Sequence, residues 1–328
     1  GPSSSQVGFT IGLKRGGVLG AILAFIGFTL PSFLMLYFLY IFGIFQSENE
    51  YIKAVIYALK LFAVVVVLDA ILGMFKTFCK DRITIFIFAF SSILLVFFSS
   101  FFNQIVVLIL SGIIGFMFIK SESKVSEKIK LPNLYILFLF LALLFLAFAF
   151  EYKNELLNLF FDFYKSGSLV FGGGHVVLPL LQENLEAKVS NDSFLIAYSL
   201  AQTVPGPMFT IATYLGADIL KESPILGAVT ATIGIFLGGF LLILCFYKSF
   251  ESFSKNEKLS RIIKAINASV VALLFATLIN TIIPNSVYNL FDAILVLIGF
   301  VLIRFLKLNI FYIILIFNFV FLIKTMSF

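Results

Sequence analysis

Two short runs of the sequence combine glycine, proline and neutral polar residues in a way that suits the binding of an anion. The first run is Gly172-Gly173-Gly174-His175, with Pro179 shortly after it, and the second is Gln202-Thr203-Val204-Pro205-Gly206-Pro207. Glycine lets the backbone approach a ligand and adopt left-handed conformations, so successive N–H groups can converge. Such a nest, or the start of a helix, binds an anion without a buried cation. The two runs therefore predict a site for a small anion.

Further neutral donors stand at the beginning of the chain. They are Ser3, Ser4, Ser5 and Gln6. Together with Gln202 and Thr203, these residues offer hydroxyl and amide groups suited to the oxygens of an oxyanion. The alternative is that the hydroxyls only satisfy the backbone of broken helices. The sequence leaves both roles open.

Three ionisable residues could take part in the same chemistry. His175 is the single histidine, and beside glycines we expect a structural hydrogen-bonding role rather than a proton carrier. Lys60 and Asp69 are the charges deepest in an apolar run, and ionisable groups inside a membrane mark functional sites by default. They are nine positions apart, on opposite sides of a helix, so they cannot pair. Asp69 is expected to reach the membrane surface, and Lys60 is a candidate for the anion path.

The elements that must hold these residues are membrane helices. Hydrophobic residues make up 61% and charged residues 12% of the sequence, and the charged fraction of ordinary globular proteins is about 25%. The chain suffices for about ten spans of about 20 residues each. Its net charge of +6 is assigned to loops that set membrane orientation, not to nucleic-acid binding. The predicted fold is an all-α polytopic membrane protein with broken or re-entrant helices at the site.

The same inventory of residues disfavours an enzyme. The chain has one histidine, no motif that pairs histidine with cysteine or serine, and no carboxylate cluster at mid-membrane depth. Cys79 and Cys245 lie far apart in the sequence, in or beside apolar stretches, so neither a disulfide nor a metal site is predicted. No catalytic residue, metal or cofactor is expected.

Apolar segments and polar loops divide the chain into two halves. The predicted apolar segments are 16–45, 52–75, 83–102, 104–119, 134–150, 225–247, 262–283, 287–303 and 309–323. The polar stretch 121–133 is predicted to be a cytoplasmic linker between a first unit, 1–120, and a second unit, 134–328. The mixed stretch 151–165 is expected at the membrane interface, and 166–216 is expected to hold the glycine run between short helices.

The two units repeat each other. Residues 20–34 align without gaps with residues 227–241, and eight of the fifteen positions are identical. Gly1-Pro2 then falls near Gly206-Pro207, so the second unit has an additional front end, 134–205. A counterpart of about 70 residues is expected upstream of Gly1.

Loop charges predict that the two units are inverted. Lys and Arg in short loops mark the cytoplasmic side of a membrane. The loop around Glu48 and Glu50 is acidic where its equivalent, 248–264, is basic, and the two following pairs of loops also exchange their charge. Inverted repeats with helices broken at matching places are typical of secondary transporters.

At these residues the sequence resembles the chromate ion transporter (CHR) family. The run Phe171-Gly172-Gly173-Gly174-His175-Val176-Val177-Leu178-Pro179-Leu180-Leu181, with Ala201–Pro207 and Ala212-Thr213-Tyr214-Leu215-Gly216, looks like the signature of the family's C-terminal half. Gly1–Gln6 with Leu30-Pro31-Ser32 resembles the matching N-terminal motif. The resemblance covers nearly the whole chain, although the Phe-Gly-Gly-Pro-type segment of the first half is absent.

The resemblance implies a multi-pass oxyanion carrier of the inner (cytoplasmic) membrane, described in the family as chromate efflux. The expected substrate is chromate or a sulfate-like oxyanion, moved by alternating access, and the alternative is a carrier or channel for another inorganic anion. The expected partners are the oxyanion and the lipid bilayer, without nucleic acid, and a homodimer is left open. The residues predicted to bind substrate are Gly172, Gly173, Gly174, His175, Gln202, Thr203, Pro205, Gly206, Pro207, Ser3, Ser4, Ser5, Gln6 and Lys60.

Overall fold

The protein is built from α-helices. The structure, a computed structural model, describes residues 2–43, 49–119, 131–171, 174–249 and 256–326, and side chains from Ser4 onward. The first unit contains α1 (Pro2–Ile41), α2 (Glu50–Phe78), α3 (Arg82–Phe97) and α4 (Phe101–Phe118). The second unit contains α5 (Leu134–Ala149), α6 (Glu155–Ser168), α7 (Val177–Leu185), α8 (Asn191–Thr203), α9 (Ile211–Ile219), α10 (Pro224–Phe246), α11 (Glu257–Thr277), α12 (Leu290–Arg304) and α13 (Ile310–Met326). These residues form no β-strand, which confirms the all-α class.

The longest helices can cross a membrane. Within the described ranges, five helices are long and apolar enough: Ser4–Ile41, Glu50–Phe78, Phe101–Phe118, Pro224–Phe246 and Glu257–Ile282. Shorter apolar helices, among them α3, α5 and α13, accompany them. Many large apolar side chains on these helices point outward, which is what contact with lipid tails requires. The polytopic membrane class predicted from composition is therefore confirmed.

The first helix begins earlier than the sequence predicted and is broken in its middle. The sequence predicted an apolar segment starting at residue 16, but residues 2–15 are also helical and the break falls at Gly16 and Gly17. Gly17 has a φ of 62°, a left-handed conformation that glycine adopts without steric cost. The arms 2–15 and 18–41 consequently fold back on each other as a hairpin.

Each unit contains a helical hairpin closed by equivalent small residues. These residues are Gly12, Gly20 and Ala24 in α1, and Gly216, Gly227 and Ala231 in α9 and α10. In both hairpins a Cβ on the first glycine would collide with the carbonyl oxygen of the second. Small residues let two helix backbones approach this closely in a membrane. The two units therefore resemble each other in this glycine–glycine contact between helices as well as in sequence.

The N-caps of three helices also recur between the units. The matched caps are Asn49 of α2 with Asn256 of α11, the capping box Asp81–Thr84 of α3 with Asn289–Asp292 of α12, and Ser100 of α4 with Asn309 beside α13. The two residues of each matched pair lie 207 to 209 positions apart in the sequence. Such caps each stabilise a helix by about 1 kcal/mol. The local chemistry that starts these helices is therefore duplicated.

The last two helices of each unit pack on the other unit. α3 and α4 lie against α11 of the second unit, while α12 and α13 lie against α2 of the first unit. α2 and α11 also contact each other, and their middle turns are buried. The two units are consequently interlocked around α2 and α11. The opposite membrane orientation of the units stays a prediction.

Residues 151–165, expected at the membrane interface, are partly buried and partly exposed, and their place at the interface stays a prediction. α6 packs along α10, and its side chains Phe163 and Tyr164 are buried. Gly167 lies directly against the carbonyl of Ile235 in α10. The mixed composition of this stretch therefore fits a helix with one face packed on protein.

Part of the predicted linker 121–133 is described. Residues 121–130 lie outside the described ranges, as do Glu48 and Lys255 of the loop-charge argument. At the linker's end, the Asn133 N–H donates to the carbonyl of Cys245 at 3.0 Å. The Ser249 hydroxyl donates to the carbonyl of Leu131, also at 3.0 Å. The start of α5 is thereby fixed to the end of α10.

Candidate functional site

His175 and two residues of α8 form the centre of the candidate site. His175 lies in a 3₁₀ turn, Gly174–Val176, that leads into α7. Its Nδ1 is 2.9 Å from the Tyr198 hydroxyl and 3.5 Å from the Gln202 amide nitrogen. Tyr198 and Gln202 share a helix face because they are four positions apart. An amide nitrogen can only donate, so Nδ1 accepts and the ring hydrogen is on Nε2. The Nε2–H group can then serve a ligand.

The end of α8 leads directly into the proline–glycine–proline turn. The Thr203 hydroxyl donates to the carbonyl of Leu200 at 2.7 Å, which is the backbone-satisfying alternative considered for this residue. The Pro207 carbonyl accepts from both the N–H (3.0 Å) and the hydroxyl (2.7 Å) of Thr210. A 3₁₀ turn, Met208–Thr210, then leads into α9. Helix starts of this kind present N–H groups to an anion.

Gly206 brings the second unit into contact with the first. Its φ is 155°, and a Cβ there would collide with the side chain of Ser32 in α1. The reciprocal contact lies between Gln6 of the first unit and Gly239 of α10, where an added Cβ would be 3.1 Å from the Gln6 amide nitrogen. Ser32 and Gly239 are equivalent in the repeat alignment. The residues just before or at the start of one unit's hairpin thus contact the long helix of the other unit, and the two contacted positions, Ser32 in α1 and Gly239 in α10, are equivalent.

The serines at the start of α1 differ in their surroundings. Ser5 is 2% exposed, and its hydroxyl has no hydrogen-bond partner among the described residues. Ser4 is exposed, and the side chain of Ser3 lies outside the described part. A buried hydroxyl without a partner costs about 1–3 kcal/mol. Of the two serines here whose side chains the structure describes, Ser5 is therefore the buried one with a hydroxyl available to a ligand.

The glycine run is described only at its end. Gly172 and Gly173 lie outside the described ranges, whereas Gly174 is buried at the start of the 3₁₀ turn. Whether their N–H groups form a nest stays a prediction. Pro205 is exposed and Pro207 is buried, so the proline turn runs from the surface into the protein beside His175 and Gln202.

Lys60 is not brought together with these residues. It is buried, at 6% exposure, and its Nζ lies 2.7 Å from Asp192 Oδ1 and 3.3 Å from the Tyr288 hydroxyl. Asp192 is in the first turn of α8, about 15 Å along the helix from Gln202 at 1.5 Å per residue. Lys60 therefore stands at the other end of α8 with a carboxylate partner.

Asp69 also has a partner that the sequence did not suggest. Arg304 at the end of α12 donates from Nη1 to Asp69 Oδ1 at 3.1 Å. Asn280, the equivalent of Asp69, bonds the carbonyl of Val96 in α3 at 3.0 Å. Asp69 thus forms a polar link between α2 and α12, and its expected place near the membrane surface stays a prediction.

Sequence reasoning missed Tyr198, Ser32 and Asp192 as members of these contacts. Tyr198 had a detectable signal, since it stands one helical turn before Gln202. Ser32 could have been found from its alignment with Gly239. Asp192 carried no signal, because its partner Lys60 is 132 positions away.

The sequence is similar to known proteins over most of its length. The sequence profile of a family described as "Chromate transporter" matches residues 1–116 and 157–322. An uncharacterized transporter from Methanocaldococcus jannaschii is 27% identical over 290 residues, which cover 85% of this chain and 71% of that protein. A chromate transport protein from Pseudomonas aeruginosa is 31% identical over 130 residues, 39% of this chain and 30% of that protein. No solved structure matches the chain.

Proposed function

We propose, since the chain belongs to the chromate transporter family, that it exports chromate or a sulfate-like dianion across the cytoplasmic membrane by alternating access. Family membership makes the chain a membrane transporter of chromate or related anions. The direction and the cycle are our proposal. One observation supports it above the others: the His175–Gln202 pair adjoins the Pro205–Pro207 turn, which touches Ser32 of the other unit.

The proposed site holds a dianion mainly with neutral donors. Among the described residues, the groups that we assign to it are His175 Nε2–H, the Gln202 amide and the Ser5 hydroxyl, with N–H groups at the starts of α7 and α9. Burial of a bare charge is costly. Each helix start contributes about 0.3–1 kcal/mol, and about 2 kcal/mol when partly buried. A site of neutral donors holds the anion loosely enough to release it on the other side.

The contact between the units is where we place the moving interface. In transporters built from repeated units, one unit rocks against the other around a fixed site. Gly206 against Ser32, and Gln6 against Gly239, are contacts of small or flexible groups across that interface. They can slide without leaving large cavities. We therefore propose that the anion is enclosed between these two contacts and uncovered on alternate sides.

The test is counterflow of labelled chromate in proteoliposomes that contain the purified protein. Vesicles loaded with unlabelled chromate should take up labelled chromate transiently, and sulfate loaded inside should drive the same uptake if both are substrates. A matched variant, Gln202→Leu, removes one donor of the pair and should lower the rate without preventing insertion.

Two outcomes would contradict the proposal. Flux that neither saturates nor shows counterflow would indicate a channel. Counterflow that phosphate or chloride drives, while chromate and sulfate do not, would indicate a carrier for another anion on the same scaffold.

A further inference from the structure

A second group of polar residues lies at the far end of α8 from His175. Tyr57 of α2 donates from its hydroxyl to Asp292 Oδ2 in the first turn of α12. Tyr288, in the turn before α12, donates its N–H to the same oxygen at 3.0 Å. The Tyr288 hydroxyl also accepts from Lys60, which is paired with Asp192. These five residues connect α2, α8 and α12 through one network.

Asp292 carries an unused hydrogen-bonding atom inside this network. Its side chain is buried with 0% exposure. Oδ2 accepts from Tyr57, Tyr288 and the Asn289 N–H, whereas Oδ1 has no hydrogen-bond partner among the residues that the structure describes. A buried carboxylate oxygen without a donor is costly. Neutralisation of the carboxylate would remove the cost of its buried charge.

The charges of the network do not balance without such an addition. Lys60 contributes one positive charge, and Asp192 and Asp292 contribute one negative charge each. Lys60 is closely paired with Asp192. Lys324 of α13 lies over the rings of Phe291 and Phe321, 4.9 and 5.9 Å from their centres, and forms no ion pair with Asp292 in the described residues. One negative charge is left in a buried place.

Comparison of the two units argues that this charge is not needed for the fold. The repeat places Thr84 at the position of Asp292, Ala268 at that of Tyr57 and Val271 at that of Lys60. Thr84 completes the capping box of α3 as Asp292 completes that of α12. At the other end of the same helices the two units keep matching polar links, Asp69–Arg304 and Asn280–Val96. In the first unit the corresponding helix start is therefore capped by an uncharged side chain.

We propose that Asp292 binds and releases one proton in each transport cycle, on its Oδ1 atom. Protonation turns the carboxylate into a neutral carboxyl and balances the network. Water reaches the network at Asp192, whose side chain is 62% exposed, and we place the entry of the proton at this end. Because the Lys60–Asp192 pair holds the start of α8 and His175 contacts its end, the charge state of Asp292 biases the position of the anion-binding helix. This inference rests on the proposed transport function.

The titratable and charged groups that face Asp292 come from every neighbouring element. They are Tyr57 and Lys60 on α2, Tyr288 in the preceding turn, Asp192 at the start of α8 and Lys324 on α13. A change of pH dependence in a variant of Asp292 must be separated from effects on these groups. For this reason the test compares two kinds of transport in the same variant.

The experiment measures exchange and net transport of chromate in proteoliposomes with the membrane potential clamped. In the native protein an imposed pH difference should change the steady-state chromate ratio by about tenfold per pH unit for one coupled proton. In Asp292→Asn, exchange at equal pH should be retained, because exchange requires no release of the proton. The response to a pH difference should be lost in that variant.

A second variant guards against misfolding of the first. Asp292→Thr reproduces the cap that Thr84 supplies in α3 and also removes the charge. Asp69→Asn is the matched control, because Asp69 links the same two helices but has Arg304 as its partner. Both Asp292 variants should exchange chromate without a response to pH, and the control should keep the response.

Three outcomes separate this inference from the proposed function. Absence of chromate exchange in the native protein would overturn the transport function itself. Exchange with a pH response that survives in both Asp292 variants would overturn only the role of Asp292. A native response to an imposed sodium gradient, with none to pH, would assign the site to a metal cation and overturn the proton.

Discussion

At the scale of single residues, a glycine determines how closely the two units approach each other. Gly206 has a backbone conformation that other residues adopt only with strain, and it lies against the side chain of Ser32. The residue of the second unit that is equivalent to Ser32 is Gly239, and the side chain of Gln6 lies against it. Side-chain size at these two positions therefore sets the distance between the units beside the anion site.

Gly206→Ala is expected to impair transport. The strained conformation costs about 1–3 kcal/mol, which corresponds to a loss of about fivefold to a hundredfold in counterflow rate. Ser32→Gly in the same protein should restore part of the rate, because it removes the collision but leaves the backbone strain. Gly27→Ala in α1 is the control, since no heavy atom lies within 4 Å of a Cβ there. Equal rates in Gly206→Ala and Gly27→Ala would contradict the importance of this contact.

His175 is expected to act mainly as a structural partner of α8. In His175→Gln an amide oxygen can still accept from Tyr198, so counterflow should fall by only about fivefold, the equivalent of one ordinary hydrogen bond of about 1 kcal/mol. His175→Leu leaves the Tyr198 hydroxyl and the Gln202 amide without this partner and should lose more.

Gly173→Val should abolish binding altogether if converging N–H groups hold the anion. Normal chromate binding by Gly173→Val, with loss in Lys60→Met, would mean that side-chain charge holds it instead.

The sequence predicted the site residues unequally well, for physical reasons. The glycine, proline and amide residues around His175 could be recognised because an interrupted helix inside a membrane leaves backbone N–H and C=O groups that must find partners. Lys60 could be recognised as buried, but its partner Asp192 is distant in sequence and stands in an ordinary polar helix start. Asp292 looked like a capping residue, which it also is. That its Oδ1 atom has no hydrogen-bond partner among the described residues depends on how α2, α8 and α12 pack together.

At the scale of helices, the two hairpins show how tertiary contact overrides local preference. The sequence of residues 2–15 is rich in glycine and serine, both weak helix formers, and it precedes the predicted apolar segment 16–45. Gly12 nevertheless belongs to a helix because its missing side chain lets the arm lie on Gly20. The long helices α2, α10 and α11 were predicted within a few residues because their apolar runs leave no alternative.

Gly12→Val is expected to destabilise the first hairpin. Its side chain would collide with the Gly20 carbonyl and with Ala24, and overpacking of this kind costs about 1–3 kcal/mol. The midpoint of thermal unfolding in detergent should fall accordingly. Gly8→Val, one turn earlier in the same arm, is the matched control because nothing lies within 4 Å of a Cβ at Gly8. A midpoint lowered equally by both variants would indicate a general effect of valine on this arm.

At the scale of the whole molecule, the interlocked units meet the geometric need of a two-unit carrier. α2 and α11 lie together at the centre, and each receives the last two helices of the other unit. The anion site is placed on one side of this centre and the Asp292 network at the other end of α8. A movement of one unit against the other therefore acts on both sites at once.

The predicted inversion of the units can be tested by labelling single cysteines from each side of the membrane. In a protein whose buried Cys79 and Cys245 are replaced by alanine, a cysteine at Glu48 should react from outside, and a cysteine at Lys255 only from the cytoplasm. The charge of the loops at these positions is the physical reason. Reaction of both cysteines from the same side would show that the units cross the membrane in the same direction.

The exchange of end helices has a consequence for how the protein is made. α3 and α4 leave the ribosome before α11, the helix on which they pack, has been synthesised. The packing partner of α3 and α4 is therefore missing while the first unit is being synthesised. The first unit reaches its final packing only after α11 of the second unit has been made.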